Sequence, residues 1–251
     1  MDNWERDCRN LKKICRQIAA AAGEPRFYTE KKLEMQASLR SFEVDPMVRS
    51  CLGIAMDHGI YLGHGGSHIR KVAIDAGAII LIEGDLGGLL RLSHIAGVLH
   101  DICRSKPDHA RAGAQEACRI LKSFDLLDEE RRMIVCAIRN HEAFKTAEPL
   151  GDPASQLLSD ALYDADKFRW GPDNFTEMLW DIIDSRKIAF DILFSRFPAG
   201  LEATERLRGS FRTRTGKEYG PDFIDRGLEI GRKLQMEFER MLNDPGKGSG
   251  G

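Results

Sequence analysis

The chain has no Cys-x-x-Cys pair, no long uninterrupted apolar run and no surplus of either charge, and each absence removes a class of protein. Its six cysteines (Cys8, Cys15, Cys51, Cys103, Cys118 and Cys136) are scattered, which does not suit a disulfide framework; they read as small buried apolar residues. Cys8 and Cys15, seven apart on one helical stripe, supply two thiolates, too few to complete a metal site. The most apolar stretch, Leu86 to Ile102, is broken by Arg91, His94, His100 and Asp101, and the N-terminus shows no basic-then-apolar leader pattern. A cytoplasmic protein is expected. Thirty-seven basic residues against 39 acidic ones give a net charge of −2, without a broad signal for nucleic acid or anionic membrane.

Sustained period-two alternation is also missing, and apolar residues recur instead at three and four positions, so the expected fold class is all-α. Trp4, Cys8, Leu11, Ile14 or Cys15, and Ile18 form one stripe, ended by Gly23 and Pro25. Asp45-Pro46 is an N-cap followed by proline at the first helical position. The glycines between Leu62 and Gly66 predict a loop holding His64, after which Ser67 caps a helix that carries His68 in its first turn. Leu89 to Cys103 is apolar on nearly every side, as in the central helix of a bundle. Further helices are expected over about 109–124, 128–141 and 153–168, then a long pair over 172–196 and 221–243 joined by a polar connection. The expected organisation is an N-terminal segment 1–44, a core 45–170, a helical extension 171–244 packed on that core, and a tail 245–251.

Chemistry concentrates at His100-Asp101, an ionisable pair at the end of the most apolar helix. Burying such groups costs several kcal/mol unless they are paired or bind a metal. Adjacent helical positions lie about 100° apart, so both side chains can address one ion at the helix flank. Imidazole with carboxylate suits Mn, Fe, Co, Ni or Zn, and a carboxylate can bridge two ions.

Three stretches occur in order: His68-Ile69-Arg70-Lys71-Val72, Val98-Leu99-His100-Asp101-Ile102 and Tyr163-Asp164-Ala165-Asp166-Lys167-Phe168. In this the chain resembles the HD-domain metal-dependent phosphohydrolase superfamily over roughly residues 55 to 170. The resemblance implies a helical bundle holding a divalent metal (Mn, Fe, Co, Ni, Zn or Mg) on His68, His100, Asp101 and Asp166. It favours His68 over His64 and His58, and Asp166 over Asp164. Asp160, Asp164 and Asp166 otherwise read as an exposed acidic face. His109 and His141 complete the pattern of the subgroup that holds two metals; otherwise they read as helix-terminal histidines.

The resemblance further implies hydrolysis of a small phosphorylated substrate, with Asp101, Lys167 and His141 in catalytic roles. Arg104, Lys106 and Lys167 follow the ligand positions and offer phosphate contacts. The basic cluster Arg206, Arg208, Arg212, Arg214 and Lys217 is either solvated or closes over an anionic substrate. Trp170, Phe175, Trp180, Phe190 and Phe194 read as core. The same two-metal pattern also serves di-iron oxygenases, and a non-catalytic sensing or scaffolding module is the third alternative.

Overall fold

Two helices that are apolar almost all round have to be covered by others, and these two, α5 (Gly66–Glu83) and α6 (Leu89–Leu99), form the centre of the molecule. The computed structural model describes residues 3–58, 66–85 and 88–243. Among these residues the regular elements are helices and no strand occurs, so the chain is all-α. The covering layer around α5 and α6 comprises α3 (Lys32–Val44), α4 (Pro46–Asp57), α8 (Asp128–Arg139) and α9 (Pro153–Phe168), with α7 (His109–Leu121) against α8. No helix among the described residues is long and apolar enough to cross a membrane.

Local chemistry fixes the starts of these helices. Asp45 accepts from the backbone nitrogens of Met47 (2.9 Å) and Val48 (3.2 Å) before Pro46 opens α4, and its other oxygen accepts from Arg91 Nε at 2.7 Å, tying α4 to α6. Asp152 does the same for α9, accepting from Ser155 N at 2.8 Å ahead of Pro153. Both caps hold elements that lead to the functional end of the bundle.

A second, smaller core lies beside the first. Cys8, Leu11 and Cys15 of α1 (Asn3–Ala22) pack with Phe175, Trp180, Leu193 and Phe197 and with Ile230, Leu234 and Phe238 of α12 (Arg214–Asn243). Cys15 donates to Phe175 O at 3.1 Å, and burial pushes its thiol up to about 11, so this cysteine packs rather than ligates. The short α2 (Arg26–Glu30) links α1 to α3.

The C-terminal part differs from the sequence expectation. Instead of one helix over 172–196 there is a π-helical turn at Asn174–Met178, then α10 (Leu179–Arg186), a reversal at Lys187 with φ 47°, and α11 (Phe190–Arg206). The connection expected to be irregular is mostly helical, because α12 starts at Arg214 and runs through Pro221. Gly216 and Gly220, inside α12, are points of close approach. A Cβ on Gly216 would run into the Asp164 carboxyl group, and one on Gly220 into the Phe211 ring.

Candidate metal centre

Five of the helices deliver one side chain or pair each to a single buried point. His68 comes from the first turn of α5, His100 and Asp101 from the turn that ends α6, His109 from the first residue of α7, His141 from just past the end of α8, and Asp166 from the last turn of α9. His100, His141 and Asp101 are no more than 2% exposed. Three groupings of these residues, His68–His100–Asp101, His100–His141–Asp166 and Asp101–His109–His141, bring their ligand atoms within 4.8 Å of one another and can hold a metal ion. His64 and the glycine loop lie outside the described residues; His58 is exposed at the end of α4 and faces Glu116 instead.

The two oxygens of Asp101 face different histidines, while His100, His141 and Asp166 also form a grouping that spans both sides. Asp101 Oδ2 faces His100 Nε2 (3.5 Å) and His68 Nε2 (3.8 Å), while Oδ1 faces His141 Nε2 (3.4 Å) and His109 Nε2 (3.8 Å). Asp166 Oδ1 closes the first side at 3.5 Å from His68 Nε2 and 3.6 Å from His100 Nε2. His68 and His100 meet Nε2 to Nε2 at 3.3 Å.

Backbone carbonyls set the tautomers. His100 Nδ1 lies 2.8 Å from Gly97 O and His141 Nδ1 2.6 Å from Ile138 O, and a carbonyl only accepts, so each Nδ1 carries a proton. Each Nε2 therefore turns a lone pair toward the centre when the ring is neutral, the arrangement in which imidazole ligates metal. His141 Nε2 is buried with no hydrogen-bond partner, a costly state that coordination would relieve. The donor set of imidazole nitrogens and two carboxylates fits a divalent ion of the Mn to Zn series.

The electrostatics point the same way. Burial would raise the Asp101 carboxyl, but His100, His141 and Arg104 outweigh it and hold it well below the usual carboxylate range. For Asp166 the same burial is outweighed by Lys167, then by His100 and His68. His100 is raised despite burial because Asp101 and Asp166 flank it. Both carboxylates are thus held in the ionised form, the form in which a carboxylate ligates a metal.

Of the basic residues expected at the site, Lys167 and Arg104 line its pocket of about 200 Å³ and Lys106 does not, since it is exposed on the turn beyond. Lys167 is buried, ion-paired with Asp166 and 5.0 Å from the Tyr163 ring centre. Arg104 Nη1 donates to His109 Nε2 at 2.9 Å and lies 3.7 Å from Asp101 Oδ1. Burial and this guanidinium together bring His109 down to about 4, keeping it neutral as the acceptor.

Asp164 is not on an exposed acidic face. It is buried and accepts from Arg212 N, Thr213 N and Thr213 Oγ1 at 2.7–2.8 Å, binding the C-terminal segment to α9. None of Arg206, Arg208, Arg212, Arg214 or Lys217 lines the pocket. Arg212 stacks on Tyr163 and donates to Asn140 O, and Arg206 lies over the Phe144 ring at 4.8 Å.

Sequence reasoning missed Arg169. It is 2% exposed, lines the pocket, and is held from behind by Asp75, Tyr28 and Asp173. Its place three residues after Asp166 on the same helical turn was the available signal; its partners, up to 141 positions away, were not. Glu142, Ala143, Phe144, Trp170 and Met178 complete the lining. Comparison with family models, curated proteins and solved structures finds no match for this chain.

Proposed function

We propose that this chain is a metal-dependent phosphohydrolase that cleaves a small phosphate ester. The observation that carries this reading is a two-sided carboxylate, Asp101, between four imidazoles, next to a small pocket lined by His68, His109 and Asp166 of that centre and by three cations, Arg104, Lys167 and Arg169. A metal site alone serves many chemistries; one walled by fixed positive charge suits a phosphoryl group.

His68, His100, Asp101 and Asp166 would hold a first ion, and His109 and His141 are the residues that would serve a second. A divalent ion supplies Lewis acidity toward a phosphoryl oxygen and acidifies water at neutral pH. Lys167 stabilises negative charge that builds on the transferring group, and its ammonium is kept in place by Asp166 and Tyr163. Arg169 cannot swing away, because its guanidinium is gripped on the far side, so it acts as a fixed positive wall. Without a second ion, His141 protonated on both nitrogens would be the group that gives a proton to the leaving oxygen.

The test is phosphate release from a panel of phosphate esters under argon with Mn, Co, Ni or Mg. Asp101→Ala is expected to lose bound metal and about 10³-fold in turnover while helical circular dichroism persists. Lys167→Ala should keep its metal and lose turnover by about 10²-fold. Turnover that requires both iron and dioxygen would replace this reading with the oxygenase one. Metal binding with no turnover of any ester would leave a sensing or scaffolding module.

A further inference from the structure

The second core does not close on itself. Between the π-helical turn, α10 and α11 it leaves a cavity of about 650 Å³, larger than the metal pocket and within the range of small-molecule sites. Its floor is Phe175, Leu193 and Phe197, each under 10% exposed, and its mouth includes Ile192, 46% exposed. A cavity with such walls gains little from holding water and much from an apolar occupant.

Charge narrows the occupant. Among the described residues the charged groups lining the cavity are Lys187 and Arg196, both cations, and no acid lines it. Arg196 is exposed on α11. Two departures from regular helix line the same space, the π-helical turn that supplies Asn174 and Phe175 and the left-handed Lys187. Each costs stability, and such features gather where a ligand has to be accommodated.

We propose that this cavity binds a long-chain amphipathic anion, its apolar chain on Phe175, Leu193 and Phe197 and its anionic head at Arg196 and Lys187. Trp170 lines both this cavity and the metal pocket, so the two share a wall. The same ligand chemistry has two sources. A free long-chain acid would act as an effector, whereas a long-chain phosphate ester would be the substrate, a reading that rests on the phosphohydrolase proposal.

The experiment titrates the full-length protein with dodecanoate below its micelle concentration, with and without chelator, following calorimetry and tryptophan fluorescence. Saturable binding of one molecule per chain is expected whether or not metal is present. Arg196→Glu should weaken it about tenfold and Arg196→Lys should restore it, both at an exposed position that leaves folding intact. Ile192→Asp, at the rim, should weaken it by a similar factor. No saturable binding, or equal binding by wild type, Arg196→Glu and Ile192→Asp, overturns the proposal. Dodecyl phosphate and methyl phosphate are then compared under Mn. Preference for the dodecyl ester with competitive inhibition by dodecanoate assigns the cavity to substrate, and dodecanoate binding without competition assigns it to an effector. Because dodecanoate binding is read without turnover, it stands or falls separately from the enzyme assignment.

Discussion

The two sides of Asp101 are built differently. Toward Oδ2 the partners rise from packed helices: His68 on α5, His100 at the end of α6 and Asp166 on α9, all buried. Toward Oδ1 they come from places where helices begin or end: His109 opens α7 after a run of turns, and His141 lies beyond the cap of α8. The first side is enclosed by the packing of α5, α6 and α9 and has Lys167 paired with its second carboxylate, whereas the second follows turns and has a cation, Arg104, hydrogen-bonded to one of its imidazoles. A rigid position and an adjustable one therefore share a single carboxylate.

The sharpest way to break the rigid side is through Gly97. A Cβ there would sit 2.7 Å from the Ala73 nitrogen and closer still to its Cα, so α5 and α6 touch backbone to backbone only because residue 97 has no side chain. Its carbonyl also accepts from His100 Nδ1. Gly97→Ala must push the helices apart, at a cost of about 4 kcal/mol. Thermal unfolding should fall by roughly 10 °C and affinity for the first ion should fall with it. An unchanged midpoint with wild-type metal binding would show that helix contact does not set that side.

What was legible in the sequence divides in a similar way. His100-Asp101 could be picked out because an ionisable pair ends the most apolar helix, whereas His68, His109, His141 and Asp166 were singled out by the resemblance of their ordered motifs to a known family. Arg169 could not be picked out, since its burial depends on Asp75 and Tyr28, which no local pattern connects to it. The C-terminal helices were misdrawn for a related reason. Gly216, Gly220 and Pro221 have the composition of a turn, but Asp164 and Phe211 need the space that the two glycines leave, and tertiary packing keeps α12 helical through them. Lys187 reverses the chain in a left-handed conformation without a glycine to announce it.

A histidine of the rigid side that is not a ligand provides the next test. His94 lies on α6, fully buried, with Nε2 2.9 Å from Ser38 Oγ. Ser38 donates to Ile74 O at 2.7 Å, so His94 Nε2 carries the proton and the ring is neutral. Burial lowers this imidazole to about 4, with only slight opposition from Asp45. An unfolded histidine takes up its proton near pH 6.5 and the folded one near 4, so the folded state loses stability as pH falls through that window. The loss reaches about 3 kcal/mol below pH 4. Denaturant titrations of chelated protein from pH 7 to pH 4 should show a slope that His94→Gln reduces but does not abolish, since His109, also brought down to about 4, keeps its own share. Equal slopes would mean that His94 is not held neutral and that the α3–α5–α6 layer tolerates a charge.

The smallest expected effect tests the adjustable side. To coordinate His109 Nε2 a second ion has to displace the Arg104 hydrogen bond and then bear the repulsion of a guanidinium 3.7 Å from the Asp101 oxygen it would share. Wild-type protein should therefore bind its first ion tightly and a second more weakly. Arg104→Ala removes both obstacles and should tighten the second ion about tenfold while leaving the first nearly unchanged. Calorimetric titration with Mn, or Co absorption, resolves the two steps without reference to turnover. His109→Ala should abolish the second step alone, because His109 contributes nothing to the Oδ2 side. If Arg104→Ala weakens the second ion, or if His109→Ala weakens the first as much as His68→Ala does, Asp101 does not separate two positions. The centre is then a single site in which all six residues act together.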